Sequence, residues 1–425
     1  MTYKAEFNIH NRLRLRHASL AVIGTGYVGL PVLMEFSRYF DVIGYDIDRS
    51  VIERARERLG SSVRLSESEQ ILDEASFFIV TVATPIDGNK KPDLIQLKNA
   101  TASVGRHLKR GSYVVFESTV YPGCTEAVCI PILEKESGLK AGDDFKVGYS
   151  PERINPGDKS HTFANTVKVV SASDPLALDE ISKVYSTVVT AGVSRASSIK
   201  VAEASKIVEN IQRSVNIALM NELHRLFHHM GIDFSEVREM AATKWNFGNY
   251  RPGLVGGHCI PVDPYYLLSE ASKMGIDIPV TRSGCIVNDS MASFIAETIY
   301  GILSVRDAQT LPKVLIMGIT YKPDTDDIRN SQAAEIYRLL NNESAEVDVT
   351  DPCANPDKVY KDFGISLVDT QRGPYDIIIV AVGHKQYAGF DDSYFRSISK
   401  SEKSVLVDIG CRYKGKIKSI GYLGI

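Results

Sequence analysis

The sequence lacks the marks of several protein classes. Its six cysteines include no C-x-x-C pair, so neither a zinc knuckle nor a disulfide framework is signalled. No apolar run approaches the roughly 18 residues that a membrane-spanning helix needs, and no secretory leader is recognisable at the start. Free thiols without an export signal lead to the expectation of the reducing cytoplasm. A basic excess is missing too: 49 Lys and Arg stand against 52 Asp and Glu, a net charge of -3. Binding a nucleic-acid backbone needs a basic face, so neither nucleic acid nor membrane is an expected partner. The one local exception is the stretch 11–17, with Arg12, Arg14 and Arg16. It is read as a solvated lead-in to the first strand, a membrane or transit role being the alternative.

What is present is ordinary for a globular protein: 44% hydrophobic and 24% charged residues. A chain of 425 residues exceeds one core, so two or more domains are expected. Short apolar runs at 19–23, 42–46, 76–82 and 113–117 alternate with helical patterns, the first of which continues through Phe40. That alternation predicts a parallel sheet with helices on both faces. The last third repeats the plan weakly, with strands at 313–318, 346–351, 376–382 and 404–408. Between the copies, residues 198–229 contain no proline or glycine and read as one helix longer than usual. The expected fold is α/β: two Rossmann-like doubly wound domains joined by a long central helix. The expected limits are 1–197, 198–300 and 301–425.

Gly24, Gly26 and Gly29 form a G-x-G-x-x-G loop after the first strand and before a helix, and Asp46 ends the second strand twenty residues beyond Gly26. The glycines allow a tight turn and close approach of backbone to a pyrophosphate, whose charge sits at the helix N-terminus. Asp46 would accept hydrogen bonds from a ribose and repel a 2′-phosphate, which favours NAD over NADP; Arg49 nearby is the argument for NADP. The second copy lacks the three-glycine loop, so it is expected to hold a different nucleotide in a different way.

A second cluster runs from Gly256 through Gly257, His258 and Cys259 to Asp263. Cysteine among glycines sits where backbone can approach a ligand; an ordinary buried thiol is the alternative. Zinc held by His258, Cys259 and Asp263 is disfavoured because chain neighbours rarely aim at one ion, and no metal is expected. Lys206 and Asn210 are four apart on the long helix and share a face; on spacing alone, a solvated lysine beside a surface asparagine is the simpler account. Thr119 ends a strand and Glu152 lies in Ser150-Pro151-Glu152-Arg153; strand-end positions of a parallel sheet face the ligand cleft, with a turn-capping threonine and a surface glutamate as the plain alternatives.

Taken in order, the glycine loop, residues 81–85 with Thr84, Glu117-Ser118-Thr119, Ser150-Pro151-Glu152-Arg153, Lys206 with Asn210, Gly256 to Cys259, Tyr321-Lys322 and Asp327 with Arg329 resemble the UDP-glucose/UDP-mannuronic acid dehydrogenase family. The branch is most similar to the UDP-N-acetylhexosamine 6-dehydrogenases of the Vi-antigen type. The resemblance implies NAD-dependent, four-electron oxidation of C6 of UDP-GlcNAc or UDP-GalNAc for surface polysaccharide or capsule synthesis, by a cytoplasmic homodimer. UDP-ManNAc and UDP-glucose are alternative substrates; a single-step NAD alcohol dehydrogenase and a non-catalytic nucleotide-sugar binder are the competing classes.

The same resemblance assigns the site. Cys259 is the nucleophile, Lys206 and Asn210 stabilise the oxyanion of its adduct, and Asp263 handles water and protons. Glu152 is the base for thioester hydrolysis and Thr119 helps position water. Gly24, Gly26, Tyr27, Val28, Gly29, Asp46, Arg49, Thr84 and Thr119 belong to the NAD side. Glu152, Arg153, Lys206, Asn210, Tyr250, Arg251, Gly256, His258, Lys322 and Arg329 belong to the substrate side. Two departures stand out. Thr84 is preceded by Ala83 where the family commonly has proline, and Asp263 is preceded by Val262 where the UDP-glucose branch usually has lysine.

Overall fold

The computed structural model describes residues 8–60, 63–154, 160–304, 311–342, 345–368 and 372–425. The chain divides into two units, residues 1–209 with 265–276 and residues 210–264 with 277–425. Each is built on its own sheet.

The first sheet contains β1 (Ser19–Ile23), β2 (Val42–Tyr45), β3 (Arg64–Ser66), β4 (Ala75–Val80), β5 (Ser112–Phe116), β6 (Phe145–Tyr149), β7 (Lys168–Ala172) and β8 (Val193–Arg195). Their spatial order is 3-2-1-4-5-6-7-8. Ile23 lies opposite Tyr45 on β2 and Val80 on β4, so three strand ends are level at the point where the order reverses. Such a switch point opens the crevice in which ligands bind. The sheet is not purely parallel as expected: β6 and β7 run antiparallel, and no helix occurs in the described part of their connection, so no crossover returns the chain to the same end.

Alternation along β1 explains the layers. Leu20 and Val22 enter one core with the helices Gly29–Phe36, Arg49–Leu59 and Pro175–Val188. Ala21 and Ile23 enter the opposite core with Ile95–His107 and the start of Ile199–His229. Both faces are thus covered, as a parallel sheet requires. The lead-in 11–17 is exposed at residues 11 and 14–17 as expected, but it begins inside a helix, Ile9–Arg14. Arg14 is exposed and Arg12 half-buried, its Nη2 donating to Ser76 Oγ at 3.1 Å, while Ile9 and Leu13 are fully buried in the first core. Each such side chain is worth about 1.5–3 kcal/mol of burial, and the helical turn leaves Asn11 and Arg14 in water.

The second sheet repeats the plan with β9 (Lys313–Met317), β10 (Glu346–Thr350), β11 (Ile377–Val380), β12 (Val405–Asp408) and β13 (Gly421–Gly424), in the order 10-9-11-12-13 and parallel throughout. Val314 and Ile316 face one core, Leu315 and Met317 the other. Two Rossmann-like α/β domains are therefore linked by a long central helix, Ile199–His229, of 31 residues. No helix among the described residues is long and apolar enough to cross a membrane.

Candidate active site

The loop after β1 is shaped by contacts only glycine tolerates. Gly24 has φ +86°, and a Cβ there would lie 2.9 Å from the Val82 side chain. A Cβ on Gly29 would lie 1.8 Å from the Gly24 carbonyl oxygen, whereas one on Gly26 would meet nothing within 4 Å. Gly24 and Gly29 are thus required by packing, and Gly26 leaves open space above the loop. The helix Gly29–Phe36 begins after Val28 with no side-chain cap, which leaves N–H groups and the positive end of its dipole for an anion. Thr81 Oγ1 donates to the Gly24 and Ile23 carbonyls at 2.7 and 3.0 Å and fixes the loop from β4.

Asp46, just past β2, accepts the Thr25 N–H at 2.8 Å and the Asp48 N–H at 3.0 Å, one on each oxygen. Burial holds its pKa above the usual carboxylate value, against the pull of those two N–H groups. Thr25 Oγ1 is buried without a hydrogen-bond partner among the described residues. Tyr27 is exposed. Arg49 is exposed and paired with Glu53 at 2.9 Å, one turn along its own helix. An uncapped helix start, open space at Gly26 and a carboxylate with spare acceptor capacity fit a dinucleotide.

The remaining candidates of the first unit fall into smaller groups. Thr84 Oγ1 donates to the Thr119 carbonyl at 2.7 Å, and the Tyr266 hydroxyl donates to the Thr84 carbonyl at 2.8 Å. Glu152 Oε1 accepts the Ile154 N–H, and its other oxygen lies 3.6 Å from Lys168 Nζ. Arg153 is engaged by the Val167 carbonyl at 2.9 Å and by Glu209 at 2.5 Å. Lys206 is buried, as is Asn210 one turn later, so the solvated-lysine account fails.

In the second unit Asn210 Nδ2 donates to Asp263 Oδ2 at 2.5 Å, and Asp263 is 2% exposed. The Cys259 carbonyl accepts the N–H groups of Val262 and Asp263 at 3.1 and 2.8 Å. That turn leads into the helix Asp263–Lys273 and leaves Cys259 partly exposed. The two glycines before it are needed for room: a Cβ on Gly256 would lie 2.9 Å from Asn330 O and one on Gly257 2.7 Å from the Tyr321 ring. His258 Nδ1 lies 3.0 Å from Arg329 Nη2, and Arg329 also grips Asp327 through Nε and Nη2. Burial would raise the Asp327 carboxyl, but Arg329 more than offsets it, and the net shift is downward. Burial, with the Asp327 and Cys259 charges, pushes Tyr321 up to about 12. Lys322 is half-buried beside them in sequence, its carbonyl accepting from Thr320 and Thr325.

Tyr250 bonds Gln212 at 2.8 Å, and Arg251 lines a cavity of about 400 Å³ with His224, Arg238 and Lys414, among whose lining residues neither Cys259 nor Arg329 occurs. Asp351, Cys353 and His384 present their ligand atoms within 4.8 Å of one another, but the Asp351 carboxylate is already taken by five donors of the fold. Sequence reading gave no role to Thr81, Tyr266, Tyr321 or Asp327, although all stand inside the motifs. Lys168 carried no signal at all.

Known proteins share this architecture. Residues 54–189 match the NAD binding domain of the UDP-glucose/GDP-mannose dehydrogenase family, 200–290 its central domain and 315–414 its UDP binding domain. The chain is 43% identical over 410 residues to UDP-N-acetyl-D-glucosamine 6-dehydrogenase of Pseudomonas aeruginosa, covering 93% of this chain and 97% of that one. It is 41% identical over 405 residues to the enzyme of the same name from Salmonella typhi, covering 92% and 95%. Among solved structures, UDP-D-ManNAc dehydrogenase from Pyrococcus horikoshii superposes with a TM-score of 0.86 at 29% identity, covering 96% of this chain and 99% of that one. With three successive domains matched and relatives aligned almost end to end, the chain belongs to the UDP-glucose/GDP-mannose dehydrogenase family.

Proposed function

We propose that this chain oxidises C6 of a UDP-N-acetylhexosamine, UDP-GlcNAc or UDP-GalNAc, to the uronate for surface polysaccharide synthesis, through a covalent adduct on Cys259. The carrying observation is the partly exposed Cys259 at the turn that delivers Asp263 to Asn210. NAD, when bound, accepts the hydride of each oxidation. The Cys259 thiolate adds to the carbonyl carbon of the aldehyde, so that the intermediate stays attached. Lys206 and Asn210 stabilise the oxyanion of that adduct. After the second oxidation the adduct is a thioester. Water, deprotonated by Glu152, adds to its carbon; the C–S bond breaks and Cys259 leaves as thiolate. Asp263, held by Asn210, orients water and takes part in proton transfer, and Thr119 helps to place it.

The N-acetylhexosamine preference is supported by the names of the similar Pseudomonas and Salmonella enzymes and by Val262. That side chain is 2% exposed, and the lysine usual in the UDP-glucose branch would have to bury an ammonium there. The domain limits 1–197, 198–300 and 301–425 are supported by the three family matches. A cytoplasmic location and a homodimer complete the proposal; the dimer is supported by Val201, Val208, Leu219 and Leu226 of the long helix, each about half exposed.

The test is kcat/KM for UDP-glucose, UDP-GlcNAc, UDP-GalNAc and UDP-ManNAc under one condition, with NADH counted per uronate. The expected result is an N-acetylated sugar first and two NADH per acid. UDP-glucose first overturns the substrate, and one NADH with free aldehyde overturns the covalent route. Uronate turnover surviving in Cys259→Ser overturns the nucleophile.

A further inference from the structure

A charged cluster lies beneath Glu152. Glu117 follows β5, Lys168 opens β7, and Tyr185 lies on the helix Pro175–Val188. Lys168 Nζ is 2.7 Å from Glu117 Oε2 and 3.6 Å from Glu152 Oε2. The Tyr185 hydroxyl donates to Glu117 Oε1 at 2.5 Å. The Phe163 ring closes over the ammonium at 4.8 Å. The side chains of Glu117 and Lys168 are 0% and 3% exposed. Glu152 Oε2 is buried and has no hydrogen-bond partner among the described residues.

One ammonium therefore serves two carboxylates, Glu117 out of reach of water and Glu152 at its edge, with 10% of its side chain exposed. A buried carboxylate without a partner is costly, so the sharing of this charge decides which of the two ionises more readily. Burial pushes Glu117 up, with Lys168 opposing the rise and Glu152 adding to it. The ionisable groups that meet here come from each packed element: Glu117 from β5, Glu152 after β6, Lys168 from β7 and Tyr185 from the helix.

We propose that Lys168 is a positioning residue for Glu152: shared between Glu117 and Glu152, it holds Glu152 in place and keeps it ionised to take the proton of water in thioester hydrolysis. This rests on the reading of Glu152 as that base. In the step concerned, the proton passes from water to Glu152, the water oxygen bonds the thioester carbon, and the C–S bond breaks.

The experiment follows decay of the acyl-enzyme by rapid quench and intact-protein mass spectrometry across pH. Lys168→Gln should move the acidic limb of the decay profile upward by about one pH unit, with KM for the UDP-sugar unchanged and Lys168→Arg restoring the wild-type limb. Glu117→Gln frees Lys168 for Glu152 and should move the limb downward. Tyr185→Phe removes a donor that favours ionised Glu117, and should move it downward by less; it deletes one hydroxyl and keeps the test open if Lys168→Gln fails to fold. Shifts of opposite sign in the lysine and glutamate variants are the expected result. Shifts of one sign, or lower rates with an unmoved limb, overturn the proposal. Wild-type decay in Glu152→Gln removes the reading of Glu152 and the proposal with it, whereas slowed decay in Glu152→Gln with an unmoved limb in the other variants removes the proposal alone.

Discussion

The two sheets solve the same turn with the same parts. Gly24 and Gly318 both follow the first strand of their sheet with φ of +86° and +95°. Each donates its N–H to the last residue of the neighbouring strand, Tyr45 at 2.9 Å and Thr350 at 2.7 Å. A Cβ on either would strike a valine, Val82 or Val382. Beyond the neighbouring strand each has an aspartate that accepts the next backbone N–H, Asp46 from Thr25 at 2.8 Å and Asp351 from Ile319 at 2.7 Å. There the likeness ends. Asp46 takes two donors, whereas Asp351 takes those of Ile319, Thr320, Cys353, Ala354 and His384. A carboxylate offers about four lone-pair sites, so Asp351 is filled by the protein and Asp46 has capacity for a ribose. His384 accepts the Asp324 N–H on Nδ1, so its Nε2 carries the proton that goes to Asp351. One strand-end acid has become structure and the other has stayed available to a ligand.

The largest effect that would break this contrast is on stability. Asp351→Ala strands buried N–H groups and His384, and should cost about 3 kcal/mol. Asp46→Ala, with fewer groups to strand, should cost about 1 kcal/mol. Thermal unfolding and hydrogen exchange of β9 and β10 measure both, and equal losses would mean that the two acids do the same work.

Acid should sharpen the contrast next. Burial tends to raise Asp351, but His384 and the backbone N–H groups reverse this and bring it to about 2, below the unfolded value of about 3.9. A depressed folded pKa gives stability that is present above the unfolded value and lost as pH falls toward the folded one. Between about pH 4 and pH 2 the wild type should therefore lose about 2 kcal/mol that Asp351→Asn does not lose. Parallel acid titrations of stability in the two proteins would remove the assigned ionisation.

The smallest expected effect is on binding. Asp46→Ala should weaken NAD roughly tenfold, the loss of one hydrogen bond to a charged group, and narrow the preference over NADP. UDP-sugar binding should not change. Titration with both dinucleotides measures this, and unchanged NAD affinity would make Asp46 as structural as Asp351.

Much of this was legible in the sequence, because the signals are local. The glycine loop, the strands that begin at residues 19, 313 and 346, Asp46 at a strand end and the helix through 229 all follow from spacing within a few residues. The strands missed were short or atypical: β3 and β8 have three residues each, β6 and β7 carry Lys146 and Lys168, and β13 is bounded by glycines. Within the lead-in 11–17 the arginines hide that Leu13 shares one buried helical face with Ile9.

By itself the sequence determined two doubly wound domains, the nucleotide turn of the first and the order of motifs that carries Cys259, Lys206, Asn210 and Asp263. Only tertiary structure decided how the acids are used. Asp351 meets His384 across 33 residues and Glu117 meets Lys168 across 51, and nothing in either neighbourhood marks the partner. Strand register sets which ends are level, and burial then makes an unpaired charge too costly to leave alone. A carboxylate's partner is therefore a property of the folded sheet, while its place at a strand end is already written in the chain.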